Sequence, residues 1–169
     1  KSIFCKKKKT YSFKLRFRAN NKTLLIVNNL KPHSVSKDYE NEIFKYIKNS
    51  MDDLNLILFS DFSYGLLTNK IIKNITKLGL EKKIFMAADS QSSSQVGDIS
   101  KFKNMTLVTP TEREIRLSLN DFESGLVVLS EKLSKKTDAN YIFTTLGAEG
   151  IMIYNNPDSI LLTDNIKAL

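Results

Sequence analysis

Three carboxylates stand at or just beyond the ends of short apolar runs in this chain. Asp61 follows the run Leu54 to Phe59, Asp89 follows Lys83 to Ala88, and Glu114 lies in the Thr109-Pro110-Thr111-Glu112-Arg113-Glu114 segment after Met105 to Val108. Taken singly, an acidic residue in such a place is most often a turn former or a helix cap. Three in successive units are better explained by one shared polar site that handles a metal ion or phosphate. A fourth segment, Thr144-Thr145-Leu146-Gly147-Ala148-Glu149-Gly150, follows another apolar run. Thr145 offers a hydroxyl, and Gly147 and Gly150 let backbone N–H groups come close to an anion. It is not a Walker A loop, because no Gly-Lys-Ser/Thr follows, and not a dinucleotide fingerprint, because the next segment reads as a strand. By itself a TxGxxG between two strands is as often a tight turn as a phosphate cradle. The only histidine, His33, falls in a loop beside Pro32, and the only cysteine, Cys5, is far from it, which argues against a zinc site.

The elements that must position these groups follow from periodicity. Tyr11 to Arg18 alternates, with Tyr11, Phe13, Leu15 and Phe17 on one face, as a half-buried strand does. Ala19 to Lys22 is turn-like and Thr23 to Asn28 is a second strand, so an antiparallel ribbon is expected. Ser36 opens a helix through about Asn49 with Ile43, Phe44 and Ile47 as its apolar stripe. Leu54 to Phe59 reads as a strand buried on both faces. Thr68 caps a helix carrying Ile71, Ile72, Ile75 and Leu78, and Gly79 is expected to end it. Lys83 to Ala88 and Met105 to Val108 are further strands, separated by a polar loop, Ser90 to Asn104. Helices are expected over Glu112 to Leu119 and Phe122 to Ser134, the latter with Leu126, Leu129 and Leu133 inward. Tyr141 to Thr144 is a buried strand, and Gly150 to Tyr154 with Ser159 to Leu162 an antiparallel pair. Strand and helix alternating from Ser36 to Thr144 imply an α/β fold with a mainly parallel sheet and helices on both faces. The ribbon ahead of it reads as a lid or a dimer clasp.

Composition bounds the rest. The chain has 169 residues, 41% hydrophobic and 26% charged, with a net charge of +8. No apolar run reaches the roughly 20 residues of a spanning helix. No signal-peptide pattern follows Lys1. One cysteine excludes an intrachain disulfide and favours a reducing, cytoplasmic setting. The positive charge and the Lys6 to Lys9 run would suit nucleic acid, but Lys-rich compositional drift accounts for the charge more simply. The ribbon aromatics Tyr11, Phe13 and Phe17 share one face, which favours packing over base stacking, so nucleic acid is not expected as a partner. The sequence starts without Met and stops at Leu169 with no cap or polar tail, which reads as truncation at both ends.

LILFSDFSYGLL (Leu56 to Leu67), AADSQ (Ala87 to Gln91), TPTERE (Thr109 to Glu114) and TTLGAEG (Thr144 to Gly150) stand in the order and spacing of the PfkB family of ribokinase-like carbohydrate kinases, which the chain resembles over nearly its whole length. Within that family it is similar to the D-glycero-D-manno-heptose-7-phosphate kinase branch, which reads SDYxKGxLT, DPK, TPNxxE and TxGxxG. The ribbon, with Lys14 to Arg18 and TLLIVN, is similar to that branch's TKxRxxxxxQQLLRxD segment. The resemblance implies a ribokinase-like doubly wound, mainly parallel sheet with an antiparallel lid ribbon at its N-terminal end. Residues 1–35 would be the lid and 36–169 an incomplete kinase core. It implies ATP-dependent phosphorylation of a sugar or sugar phosphate, of the heptose-phosphate type, with ATP and Mg²⁺ as cofactors. Glu114 would organise metal and phosphate together with Asp89. Thr145, Gly147 and Gly150 would form the nucleotide-phosphate loop, and Asp61 would lie on the substrate side. The general-base aspartate of Gly-Ala-Gly-Asp would follow Leu169, and the glycine-rich sugar-binding segment would precede Lys1. A homodimer through the ribbon and a fused nucleotidyltransferase domain are the partners the resemblance implies. This sequence departs from the branch at Thr111 for Asn, Gln91 for the Lys of DPK, Phe62 and Ser63 for Tyr and its neighbour, and Ile26 for Arg. Those departures motivate the alternative of a non-catalytic relative that keeps the fold for binding or regulation.

Overall fold

A computed structural model describes residues 13–20, 22–29, 34–91 and 97–157. Strands β1 (Phe13–Ala19) and β2 (Lys22–Asn29) pair antiparallel with a bulge between Phe17 and Arg18. Asn20 takes a left-handed φ of 46° at the turn, a conformation that asparagine tolerates better than most residues. The alternating pattern implies one buried face. Instead, every side chain described on the ribbon is exposed, including Leu15, Phe17, Leu25 and Ile26. The alternation reports the two faces of a strand pair, and it carries no information about what covers either.

Helix α1 (Lys37–Ser50) starts at Ser36 and packs Ile43, Phe44 and Ile47 against the core, as its stripe implies. A mainly parallel sheet follows in chain order: β3 (Leu56–Asp61), β4 (Phe85–Ser90), β5 (Leu107–Val108) and β6 (Tyr141–Thr145) run parallel, and β7 (Ile151–Asn155) returns antiparallel against β6. The connections carry α2 (Asn69–Glu81), α3 (Glu112–Leu119) and α4 (Leu126–Thr137). Parallel strands laid down in sequential order with right-handed crossovers place their helices on one face. One core cluster joins that face: Ile57, Phe59, Met86, Ala88 and Ile142 from the sheet, with Ile71, Ile75, Ile115, Leu129 and Leu133 from the helices. The expectation of helices on both faces is not met among the described residues. Leu56, Leu58, Ile151 and Ile153 stay exposed on the other face, so β3 is buried on one side only.

Two boundaries move for local reasons. Gly79 lies inside α2, which runs on to Glu81 before Lys83 takes the left-handed φ of 54° that ends the turn. Gly79 is required by packing: a Cβ there would meet the Sδ of buried Met86 at 2.5 Å. Helix α4 begins at Leu126, later than its apolar pattern implies, because Asp121 holds the preceding turn. Its carboxylate accepts from the Glu123 and Ser124 N–H groups and from the Ser124 hydroxyl. The segment read as a polar loop, Ser90 to Asn104, contributes to the core in its second half, since Ile99 and Phe102 are fully buried. The strand expected over Gly150 to Tyr154 runs from Ile151 to Asn155 and pairs with β6, and Ser159 to Leu162 lies outside the described residues, as do Cys5, Tyr11 and His33.

Candidate nucleotide and phosphate site

Parallel pairing brings the carboxyl ends of β3, β4, β5 and β6 into one row. Asp89 pairs in register with Ser60, and Asp61 with Ser90. Because alternate residues of a strand point to opposite faces, Asp89 lies on the open face and Asp61 on the helix face. Thr145 shares the open face with Asp89 through the register Ala87–Leu107–Tyr141. The row is closed by backbone bonds: Thr109 N–H donates to the Ala88 carbonyl at 3.1 Å and Thr145 N–H to the Pro110 carbonyl at 2.9 Å, with a bridge between Thr111 and Thr145.

On this row the sequence-derived groups gather unevenly. The Thr109 hydroxyl donates to the Asp89 carboxylate at 3.4 Å. Burial, and then the neighbouring Glu114 carboxylate, push the Asp89 carboxyl above its ordinary value. Glu114 is itself buried in the first turn of α3 and closes a capping box. Its carboxylate accepts the Thr111 N–H at 2.8 Å, and the Thr111 hydroxyl accepts the Glu114 N–H at 3.3 Å. Thr145 ends β6, and Leu146 to Gly150 form a tight turn closed by the Leu146 N–H to the Gly150 carbonyl at 2.9 Å. Gly147 at φ 63° and Gly150 at φ 103° both need glycine's freedom, and a Cβ on either would point into open space. The turn reading and the anion-cradle reading are therefore compatible: the glycines are demanded by the backbone and leave it approachable.

Asp61 is not part of this group. Its side chain faces the helices, is 3% exposed, and is paired with Lys101 at 2.5 Å. Sequence reasoning missed Lys101, because it lay in the segment counted as a polar loop. Also missed were Arg113, Arg116 and Phe122, which with Thr111, Thr145 and Gly147 line an open cleft of about 640 Å³ beside the glycine turn. Arg113 was visible inside TPTERE, between the two acids of the helix start.

Two carboxylates, Asp89 and Glu114, close enough for one to raise the other, fit a hard cation. Mg²⁺ keeps several waters and takes one or two carboxylates together with substrate phosphates. Among the described residues no group of three or more acidic, histidine or cysteine side chains is gathered for a metal, so the pair matches the one or two carboxylates such an ion uses. No described helix is long and apolar enough to cross a membrane.

This sheet, with its helices on the strand connections and a separate two-stranded antiparallel sheet, is the ribokinase-like fold of the PfkB carbohydrate kinases. The phosphofructokinase-2 of Escherichia coli in complex with fructose-6-phosphate matches 79% of the chain and 45% of its own at a TM-score of 0.56 and 14% identity. A phosphomethylpyrimidine kinase from Clostridium difficile matches 85% of the chain and 66% of its own at 0.54 and 10%; at such identities the likeness concerns the fold alone. In sequence the chain is similar to the bifunctional protein HldE: 26% identical over 151 residues to that of Syntrophotalea carbinolica and 29% over 151 to that of Campylobacter jejuni. The chain spans 30% of the length of each of these two relatives and 87% and 85% of it is matched. No protein-family model matches the chain. The resemblance to PfkB-like carbohydrate kinases is thus supported by sequence and by fold, and that to their heptose branch by the sequence similarity to HldE.

Proposed function

We propose that this chain is the central part of a kinase that transfers the γ-phosphoryl group of ATP to a hydroxyl of a sugar phosphate of the heptose-phosphate type, acting within a longer protein in the cytoplasm. The observation that carries this reading is the convergence, at the carboxyl ends of parallel strands, of Asp89, Thr109, the Thr111–Glu114 box and the Thr145 to Gly150 turn. In open α/β sheets this is where ligands bind. Phosphoryl transfer needs positioned cations and oriented N–H groups around a charged phosphate more than it needs covalent chemistry.

In this reading the backbone of Gly147 to Gly150 and the Thr145 hydroxyl hold nucleotide phosphates, and Arg113 adds positive charge at the cleft. Asp89 and Glu114 would hold Mg²⁺, which would neutralise charge on the phosphates. Glu114 is oriented for this by donation from the Thr111 N–H, and Thr109 orients Asp89. Asp61 serves the substrate side from beneath. The general base is assigned to an aspartate of the longer protein beyond Leu169. Residues 1–35 act as the lid. The exposed Leu15, Phe17, Leu25 and Ile26 of its ribbon support a homodimer clasp, and similarity to a bifunctional protein supports a fused nucleotidyltransferase domain. Gln91 and Thr111 favour a second reading, a non-catalytic binding or regulatory relative.

The test is turnover by the full-length protein with ATP, Mg²⁺ and a panel of heptose 7-phosphate and hexose phosphates. Mg²⁺-dependent phosphorylation of a panel member is expected. Tight Mg²⁺–ATP binding without turnover on any member would favour the non-catalytic reading, and absence of both would overturn the kinase assignment.

A further inference from the structure

The Asp61 carboxylate is one of the most deeply placed charges in the described chain. Its residue is 4% exposed, and it sits at the last position of β3 on the helix face. It accepts the Ser63 N–H at 2.9 Å and the Ser63 hydroxyl at 3.2 Å. The third partner is the Lys101 ammonium at 2.5 Å, and its side chain is 19% exposed. A buried carboxylate without a cation is costly, whereas one paired and fully hydrogen-bonded is tolerated. Lys101 is therefore the cation that compensates the buried Asp61 carboxylate where it stands.

Lys101 is held on both sides in sequence. It belongs to a short 3-10 turn, Ile99–Lys101, whose Ile99 is fully buried. The next residue, Phe102, is 0% exposed and packs on Phe59 of β3 with ring centroids 5.6 Å apart. The Lys101 ammonium also stands 5.2 Å from the Phe102 ring centroid, where a cation is favoured. Its backbone is thus a fixed post inside the core, and its side chain reaches across to the end of β3.

The beneficiary is the loop after β3. Ser63 holds φ at 58°, a left-handed conformation that an ordinary residue leaves unless something retains it. Asp61 retains it through two hydrogen bonds, and so fixes the two aromatic residues on either side. Phe62 and Tyr64 stack with centroids 6.2 Å apart and 28° between planes, 49% and 39% exposed, at the carboxyl end of the strand. The end of β4 is tied to the same point, since the Gln91 N–H donates to the Asp61 carbonyl at 2.9 Å.

We propose that Lys101 is a positioning residue for the acceptor side of the site: it fixes Asp61, Asp61 fixes Ser63, and the loop so held presents Phe62 and Tyr64 to the sugar. The proposal rests on the kinase reading for its acceptor and on geometry alone for its loop. It differs from charge supplied to a phosphate. The lysine is spent on a buried carboxylate and reaches the acceptor only through the shape of the loop.

Lys101→Met alone leaves Asp61 buried and unpaired and is expected to impair folding. The informative variant is Lys101→Met with Asp61→Asn in the full-length protein, which removes both charges together, beside Lys101→Arg, which keeps the pair. Loss of charged hydrogen bonds of this kind corresponds to about tenfold or more in affinity. The double variant should raise the KM for the sugar phosphate about tenfold with the KM for ATP unchanged, and Lys101→Arg should stay near wild type. Hydrogen exchange of the peptide covering Asp61 to Gly65 should be faster in the double variant and normal in Lys101→Arg. A folded, active double variant with unchanged acceptor KM, or one whose two KM values rise together, would overturn the proposal. If the wild type phosphorylates no sugar phosphate, the kinase reading fails separately. The exchange of Asp61 to Gly65 then decides the positioning role: faster exchange in the double variant upholds it, and unchanged exchange overturns it.

Discussion

Replacing Thr111 tests whether the most conspicuous departure from the TPNxxE pattern is chemically neutral. Thr111 is the N-cap of α3: its hydroxyl accepts the Glu114 N–H at 3.3 Å while the Glu114 carboxylate accepts the Thr111 N–H at 2.8 Å. Threonine and asparagine both cap helices well, asparagine by a few tenths of a kcal/mol better, whereas alanine at an N-cap costs about 1 kcal/mol. For a domain of this size a loss of about 1 kcal/mol lowers Tm by roughly 2–4 °C. Thr111→Ala should therefore lower Tm by about that much, and Thr111→Asn should leave Tm unchanged or slightly raised. The capping difference acts through Glu114 on the site, so Thr111→Ala should also weaken Mg²⁺–ATP binding, and Thr111→Asn should not. Thermal unfolding of the full-length protein, with nucleotide titration by calorimetry, reads both. If Thr111→Asn were as destabilised as Thr111→Ala, the cap would not be what the residue supplies, and the substitution could no longer be regarded as neutral.

Three other outcomes follow from the packing and the charges. Gly79→Ala should destabilise by up to about 2 kcal/mol in chemical denaturation: the helix gains about 1 kcal/mol from alanine, against about 1–3 kcal/mol for displacing the side chain of buried Met86. Phe102→Ala should cost about 3–5 kcal/mol, since the ring is 0% exposed, although its segment looks polar in sequence. Asp89→Asn should raise Tm at pH 7.5 measured without Mg²⁺. The folded state raises this carboxyl, so its ionised form withdraws stability at neutral pH; the penalty lifts as pH falls through the raised value toward the ordinary one. The gap between the variant and wild type should accordingly shrink on melting at pH 4, while the same substitution should weaken Mg²⁺-dependent nucleotide binding.

Much of this architecture was legible in residue patterns. Helix α3 falls on Glu112 to Leu119 as read, because a cap, a turn of acids and a short stripe coincide there. The order of strands and helices was equally legible, since each strand is an apolar run between breakers. What sequence could not show was whether the faces of those strands are covered. An apolar run such as Leu54 to Phe59 looks the same whether one face or two are buried, and Leu56 and Leu58 are exposed. Ile99 and Phe102 were hidden for the opposite reason: core residues without periodicity, scattered among lysines and serines. By position alone the three carboxylates read as one shared polar site. Strand register splits them, Asp89 to one face and Asp61 to the other, and a register is a property of pairing that one strand's residues do not encode.

The strand order has a consequence for how the molecule is made. From β4 to β7 every strand pairs with the one synthesised immediately before it. Parallel sheets usually fold slowly, because distant segments must meet before any pairing is rewarded. Here each new strand–helix unit finds its template already standing, and the sheet can grow edge by edge as the polypeptide leaves the ribosome, at the pace of translation. Through that growth the leading edge is always the newest strand, so an unpaired growing edge is short-lived until β7, and among the described residues only the outer edges of β3 and β7 stay open.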